Sequence, residues 1–384
     1  MTHVAMIVSN PCDPDPRVEK EGAALIDAGY DVTIHAFDRE EKRELETMVD
    51  GVKILRYRIG NTPRGAPNLV TGVRVLLGLR KFRKKVISNL HNNQPDIIHC
   101  HDADTLGVGL SLKSKFGIPL VFDMHDLAHT WARMEKPSSI FRRFISSIIE
   151  RRLIRRIKKC DLVVTSSGAV SGTSHPGFRE WIRRRVKNAN VVVVENRPLP
   201  SEKISPFPER FTIGYAGKIR EITMFENLIK AVKSWPNEEI PKLLIAGHGT
   251  AEKQVDSLLS NSQIEVERIG QFSRVELPSI IEKMSVMYAV YPTLRGNILD
   301  GALPTKMFDA AMYGRPSIVN SGCLMGDIAA AEKIGVTVNH SDVDSLLSVL
   351  LEISKKHSEI KLERDWTGES KRLVLAYTGL GNGS

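Results

Sequence analysis

Short unbroken apolar runs alternate along this chain with longer stretches in which apolar residues recur every three or four positions. That alternation predicts buried parallel strands connected by helices. Val4–Ser9 reads as a strand and Asn10–Pro16 as a proline-rich loop. A helix over Arg17–Ala28 buries Val18, Ala23, Leu25 and Ile26 and stops at Gly29. Strands follow at Asp31–Phe37 and Val52–Tyr57, with charged, exposed residues expected at 38–50. Leu69–Leu90 is a long helix whose outer face carries Arg74, Arg80, Lys81, Arg83, Lys84 and Lys85. Asp96–His99 is a strand with a loop over 100–104 at its carboxyl end, and Leu106–Phe116 is helical. Pro119–Asp123 is a strand leading into Met124-His125-Asp126. Helices over Ile140–Cys160 and Phe178–Lys187 flank a strand at 161–167, and Val191–Glu195 closes this half.

Residues 197–210 hold four prolines without periodicity and read as a linker. The same order then restarts. Strands at Phe211–Ala216, Lys242–Ala246, Ile264–Ile269 and Ser285–Tyr291 alternate with helices at Phe225–Ser234 and Val275–Met284. The stretch Asn297–Asn320 reads as loop, helix and strand. Leu303-Pro304-Thr305 turns into Lys306. An apolar helix then runs through Met307, Phe308, Ala310, Ala311 and Met312, Gly314 and Pro316 stop it, and Ser317–Asn320 is a buried strand. A final helix covers Arg364–Leu380, and residues 382–384 form a frayed end. Two doubly wound α/β domains facing a cleft are therefore expected: residues 1–200, residues 201–362, and a closing segment 363–384.

With 384 residues, two domains fit better than one core. No apolar run is long enough to span a bilayer, and Met1–Ser9 lacks the basic start of a signal peptide. The four cysteines are scattered without a CxxC pair, against a zinc site or a disulfide framework, and a reducing cytoplasm fits. The formal charge of +9 is unevenly placed: residues 1–200 carry a net +11 and the remainder a net −2. Between 141 and 187, 13 basic residues stand against 3 acidic ones, interleaved with Phe141, Phe144, Ile145, Ile148, Phe178 and Trp181. Two basic amphipathic helices with aromatic residues favour an anionic membrane surface over nucleic acid, the plainer alternative being two solvated helix faces.

Ligands of open α/β sheets lie beyond the carboxyl ends of the strands. Asp13, Arg17, His101, Asp102, His125 and Asp126 are expected to share such a rim in the first half. In the second half, glycines end three strands (Gly217, Gly247 with Gly249, and Gly270) and let backbone approach a phosphate or a base. Lys218 stands beside the first of them. Lys306, in the first turn of a helix where a cation opposes the helix dipole, reads either as a solvated lysine or as a phosphate ligand.

Asp15-Pro-Arg-Val-Glu-Lys-Glu, Val121–Asp126, Gly214–Lys218, Leu244–Gly249, Ile269–Gln271 and Leu303–Pro316 together resemble family 4 glycosyltransferases of the GT-B fold, the group 1 enzymes. The last stretch is similar to a subgroup pattern P-x-K-x-F-E-x-x-x-x-G-x-P, and the resemblance covers nearly the whole chain. It implies a retaining transferase that moves a hexose from a nucleotide diphosphate sugar without an essential metal or other cofactor. It implies a sugar or lipid-linked acceptor on the first domain. Lys218 and Lys306 would then hold the diphosphate. Asp309 would meet the ribose, Gln271 the base, and His125 the transferred sugar. Gly217, Arg220, Gly247, Gly249, Leu303, Pro304 and Thr305 would complete the donor site. Such a protein is expected in the cytoplasm, peripheral on the inner face of the membrane. The chain departs from the family where the first Glu of E-x7-E is Gly301, where the second basic clamp residue falls near Thr223 with Arg220 as a substitute, and where the first loop lacks Gly-Gly. Two other readings stay open: a nucleotide-sugar 2-epimerase, with His101, Asp102 and Asp126 as acid/base groups, and a binding scaffold without catalysis.

Overall fold

The computed structural model describes residues 1–380 except 61, 63–68, 135–137, 202–205, 294–296 and 357–359. Residues 202–205 of the expected linker 197–210, the approach to Asn297 at 294–296 and the terminal residues 382–384 thus lie outside the described residues. The rest divides into two compact units: unit 1, comprising residues 1–167, 178–195 and 368–384, and unit 2, comprising residues 168–177 and 196–367.

Unit 1 opens with β1 (His3–Val8), α1 (Pro16–Asp27), β2 (Asp31–Phe37), β3 (Glu46–Val49) and β4 (Val52–Tyr57). Asp15 starts α1: its carboxylate accepts from the Val18 amide, its own amide donates to Glu19 at 2.7 Å, and Pro16 is pre-set for the first turn. Next come α2 (Leu69–Asn92), β5 (Ile97–His101), α3 (Asp102–Phe116), β6 (Leu120–Met124), α4 (Ala128–Met134), α5 (Ile140–Ile157), β7 (Leu162–Thr165), α6 (Phe178–Arg185) and β8 (Val191–Val193). The strands form one sheet in the order β3-β4-β2-β1-β5-β6-β7-β8, parallel except for β3.

Three expectations need correction here. The charged stretch 38–50 is not wholly exposed. Asp38 and Arg39 are buried, and β3 pairs antiparallel with β4 through Glu46-Thr-Met-Val49. Its mixed composition carries no strand signal because an edge strand needs little burial. The loop expected at 100–104 is absent: Cys100 and His101 belong to β5, and α3 begins at once at Asp102, which adopts φ +64°. In α6, Phe178 and Trp181 are buried while Arg183, Arg184 and Arg185 face solvent. The aromatic residues of this helix serve the core and are not offered to a membrane.

Unit 2 runs β9 (Thr212–Ala216), α7 (Thr223–Lys233), β10 (Lys242–Ala246), α8 (Glu252–Ser260), β11 (Val266–Ile269), α9 (Leu277–Glu282), β12 (Val286–Ala289), α10 (Lys306–Met312), β13 (Ser317–Asn320), α11 (Leu324–Ala331), β14 (Gly335–Val338) and α12 (Val343–Lys355). The sheet is parallel throughout, in the order β11-β10-β9-β12-β13-β14. Its central strands β9, β10, β12 and β13 are almost wholly buried because helices cover both faces, while the edge strands β11 and β14 are partly exposed. Gly314, at φ +75°, ends α10 as expected, and the Arg315 amide returns to the Ala310 carbonyl at 2.9 Å.

In both sheets the first strand lies between the second and a later one, so the winding reverses there: at β1/β5 in unit 1 and at β9/β12 in unit 2. Crevices form at the carboxyl ends of such pairs. The last helix, α13 (Trp366–Thr378), joins unit 1 from Gly368 onward. Tyr377 is buried and its hydroxyl lies 2.7 Å from His99 Nδ1, while Glu369 accepts from the Glu195 amide at 2.9 Å.

Candidate functional site

In unit 1 the carboxyl ends of β5 and β6 assemble a charged network around Asp123. Arg17 donates to both Asp123 oxygens at 2.7 Å and to the Val194 carbonyl at 3.0 Å. His101 Nδ1 and His125 Nδ1 each lie 3.1 Å from Asp123 Oδ2. His125 Nε2 then meets Asp102 Oδ1 at 3.1 Å, because the positive φ at the start of α3 turns that carboxylate towards it.

Burial opposes every charge in this group, and the neighbours decide the outcome. For Asp123, Arg17 and the two histidines outweigh burial and hold the carboxyl well below its usual range. For His125, Asp102 and then Asp123 outweigh burial and hold the imidazole well above its usual value. Asp102 is lowered in turn, chiefly by His125. His125, 27% exposed, has a carboxylate at each nitrogen, and both favour its protonated form.

Beneath it lies a second layer. Arg17 Nη2 approaches Glu21 at 3.1 Å, and Glu21 stands 3.8 Å from His99 Nε2. Burial, then Asp123, pushes Glu21 up to about 7, while burial and His101 drive His99 well below its usual value. Glu21, His99 and His101 could gather a metal ion by proximity. Arg17 already claims Glu21 and Asp123, however, and a cation there would face a fixed guanidinium.

Of the six residues expected to share a rim, the network unites Arg17, His101, Asp102 and His125. Arg17 and His101 are buried and hold their neighbours in place, while His125 and Asp102 reach the surface. Asp126 bonds to the Leu127 amide and to the Trp131 indole N–H, each at 2.7 Å. Asp13 pairs with Arg43 at 3.1 Å. Neither joins the network. Asp123 itself, with Glu21, His99 and Tyr377, was not among the expected site residues. A hint for Asp123 lay in the sequence: a carboxylate at the end of an apolar strand is costly to bury without a partner.

In unit 2 the ends of β9 and β12 place Lys306. Its ammonium lies 3.7 Å from the centroid of the Tyr215 ring and 5.7 Å from that of Tyr291, a cation–π arrangement that fixes a long side chain. Tyr215 is itself fixed, its hydroxyl donating to the Lys218 carbonyl at 2.6 Å. Gly217 adopts φ +139°, and a Cβ built there would come within 2.8 Å of Lys306 Nζ. A bare backbone and a held cation thus share one spot. Gly247 (φ +124°) and Gly249 leave no room for side chains, since a Cβ would meet the Gly217 and Ile219 carbonyl oxygens at 1.9 and 2.0 Å.

The structure brings Lys306, Gly217, Gly247 and Gly249 together. Lys218 and Gln271 are exposed at the ends of β9 and β11, and Arg220 is half-buried before α7. The helix begins at Lys306 itself, with Leu303, Pro304 and Thr305 as the turn before it and Asp309 on its half-buried side. Gly301, where the resemblance has a Glu, adopts φ +102°, and a Cβ there would lie 2.5 Å from Gly177 Cα and 2.7 Å from the Pro176 carbonyl oxygen. No side chain fits at that position.

Residues 14–197 match the family model of the glycosyl transferase 4-like domain. No curated protein sequence matches the chain. Among solved structures, sucrose-phosphate synthase from Thermosynechococcus elongatus is similar with a TM-score of 0.71 at 14% identity, over 99% of this chain and 95% of that one. Anabaena HepE in complex with UDP-glucose gives 0.63 at 13%, over 99% and 98%. Staphylococcus aureus TarM in complex with Fondaparinux, alpha-GlcNAc-glycerol and UDP gives 0.65 at 11%, over 100% of both chains. The chain therefore has the GT-B fold of these proteins, and its residues 14–197 match a glycosyl transferase 4-like domain.

Proposed function

We propose that this protein is a retaining glycosyltransferase that moves a hexose from a nucleotide diphosphate sugar to a sugar or lipid-linked acceptor, with no metal required. The observation that carries the reading is the Lys306 ammonium, held over Tyr215 against the bare backbone of Gly217 at the winding reversal of unit 2. A departing nucleoside diphosphate gains negative charge, and a pre-positioned cation stabilises it as it forms. Lys218 and Arg220 would supply further positive charge, Asp309 would accept from the ribose hydroxyls, and Gln271 would meet the base. His125 would meet the transferred sugar.

The solved relatives support the donor class, since two of them are complexes with UDP-glucose or UDP. Thermal-shift titration with UDP, GDP, ADP and their sugar conjugates tests it. A nucleotide that binds only the folded chain must raise the melting temperature. Lys306→Ala should weaken that binding about ten- to hundredfold, the loss of one charged hydrogen bond. Unchanged affinity in the variant would remove Lys306 from the site.

One observation favours a second reading, a binding protein without turnover: the closed position at Gly301. Nucleotide binding without sugar transfer to any acceptor would select it.

Unit 1 also bears on the acceptor. On α5, Ile140 and Phe141 are 84% and 71% exposed, and Phe144 and Ile148 continue the same face. Arg143, Arg151, Arg152, Arg155, Lys158 and Lys159 are exposed around and beyond them. An apolar row among cations suits the surface of an anionic bilayer, and no helix among the described residues is long and apolar enough to cross one. The reading is of a protein peripheral on the inner face of the cell membrane.

A further inference from the structure

The outer layer of unit 1 holds a pocket of about 560 Å³ between α2, α3 and α5. Four arginines line it: Arg80 and Arg83 from α2, and Arg152 and Arg156 from α5. Its one carboxylate, Asp104, faces Arg39, which is 3.9 Å away and outside the lining. Arg83 donates to the Ser111 hydroxyl and Arg156 to the Ala103 carbonyl at 3.4 Å, both neutral acceptors. A Cβ built on Gly107 would lie 3.3 Å from Arg156 Nη2 and 3.8 Å from Arg83 Nη1. Two cations therefore converge on one bare turn of α3. Burial, Arg152 and Arg83 together lower the Arg156 guanidinium from its ordinary value. Like charges gathered in a concave site are unfavourable until an anion joins them. Leu76, also in the lining, is 64% exposed, so one wall of the pocket is apolar.

We propose that this pocket binds a phosphate ester or diphosphate, with the four arginines around the anion and its apolar remainder along Leu76. Arginine forks match phosphate oxygens in pairs, which suits a dianionic group better than a simple halide. The site goes beyond the donor reading, because it lies wholly in unit 1 and uses none of the Lys306 residues. The anion has two sources, a phospholipid headgroup or a soluble phosphate compound.

The test uses the full chain carrying Lys306→Ala, so that the candidate donor site does not take up the probe. Arg80→Gln with Arg152→Gln removes two exposed guanidiniums, and retention of the melting temperature without ligand certifies the fold. Pyrophosphate is titrated by thermal shift, and sedimentation is measured with phosphatidylcholine vesicles with and without phosphatidate. Pyrophosphate stabilisation that weakens at least tenfold in the double-glutamine variant supports the site and a soluble source. Arginine-dependent pelleting with phosphatidate vesicles alone, which Phe144→Ser leaves unchanged, supports the site and a headgroup source, and pelleting that Phe144→Ser abolishes as fully overturns it. Binding unchanged in the folded variant, or no response to either probe, overturns the proposal.

Discussion

At the scale of single residues, Asp123 sets the chemistry of unit 1. It receives Arg17 and His101 from below and His125 from the surface side, and this favours the charged form of the imidazole through which the network reaches the surface. A pH dependence follows. His125 is raised above its ordinary 6.5 in the folded chain, so its contribution to stability is full below that value and is lost as pH rises through the folded pKa. Asp102 and Asp123 are lowered from 3.8, so their contribution is lost only as pH falls below that value. The stability difference between the parent chain and His125→Gln should therefore be greatest between about pH 4 and 6.5 and shrink on the alkaline side. Denaturant unfolding at a series of pH values measures it, and a difference that stays flat above pH 6.5 would contradict the charge assignment. His125 was legible in the sequence because it follows a strand end. The hub was not, because Arg17 and Asp123 lie 106 positions apart and only the sheet order makes them neighbours. Gly301 illustrates the reverse: the missing Glu was visible, but the backbone that forbids it was not.

At the scale of elements, α5 and α6 read alike as basic helices and behave differently. In α6 the aromatic residues fall on the side that packs: Phe178 is fully buried. In α5, Ser146, Leu153 and Ile157 are buried, and the larger Phe141 and Phe144 point outward. Periodicity shows that a helix has an apolar stripe, but with two stripes it does not say which one meets the core. Phe178→Ala should cost about 3–5 kcal/mol of stability, as deletion of a buried aromatic does. Phe144→Ser should stay within about 0.5 kcal/mol, as a surface change does. In sedimentation with anionic vesicles, Phe144→Ser should reduce binding. Equal absence of the parent chain from anionic and neutral pellets would end the membrane reading.

Most of the parallel strands were legible almost to the residue, β2, β4, β10 and β13 with the bounds expected, because continuous apolar runs have few other uses; the partly exposed β14 was not read. The shared edge β3 and the immediate start of α3 were not. The first depends on a partner strand and the second on a backbone angle, and neither leaves a hydrophobic signature.

At the scale of the whole molecule, the chain leaves unit 1, builds unit 2 and returns. Leu373 and Tyr377 are core residues of unit 1 supplied from beyond residue 367. A chain ending at Thr367 should therefore lose the cooperative melting of unit 1 and keep the nucleotide-induced shift of unit 2. Calorimetry with and without the nucleotide checks both, and an unaltered first transition would show α13 to be dispensable.

The return of α13 also constrains how the molecule comes into being. A ribosome delivers residues 1–195 before unit 2, yet His99 cannot meet the Tyr377 hydroxyl until unit 2 has been made. Throughout synthesis of unit 2, the earlier segment waits with a side of its core uncovered and its basic, apolar α5 already made. Newborn chains should therefore depend on chaperones, or on a nearby membrane, for longer than a protein of this size with contiguous domains. Any stop before Tyr377 yields a product in which His99 never meets that hydroxyl.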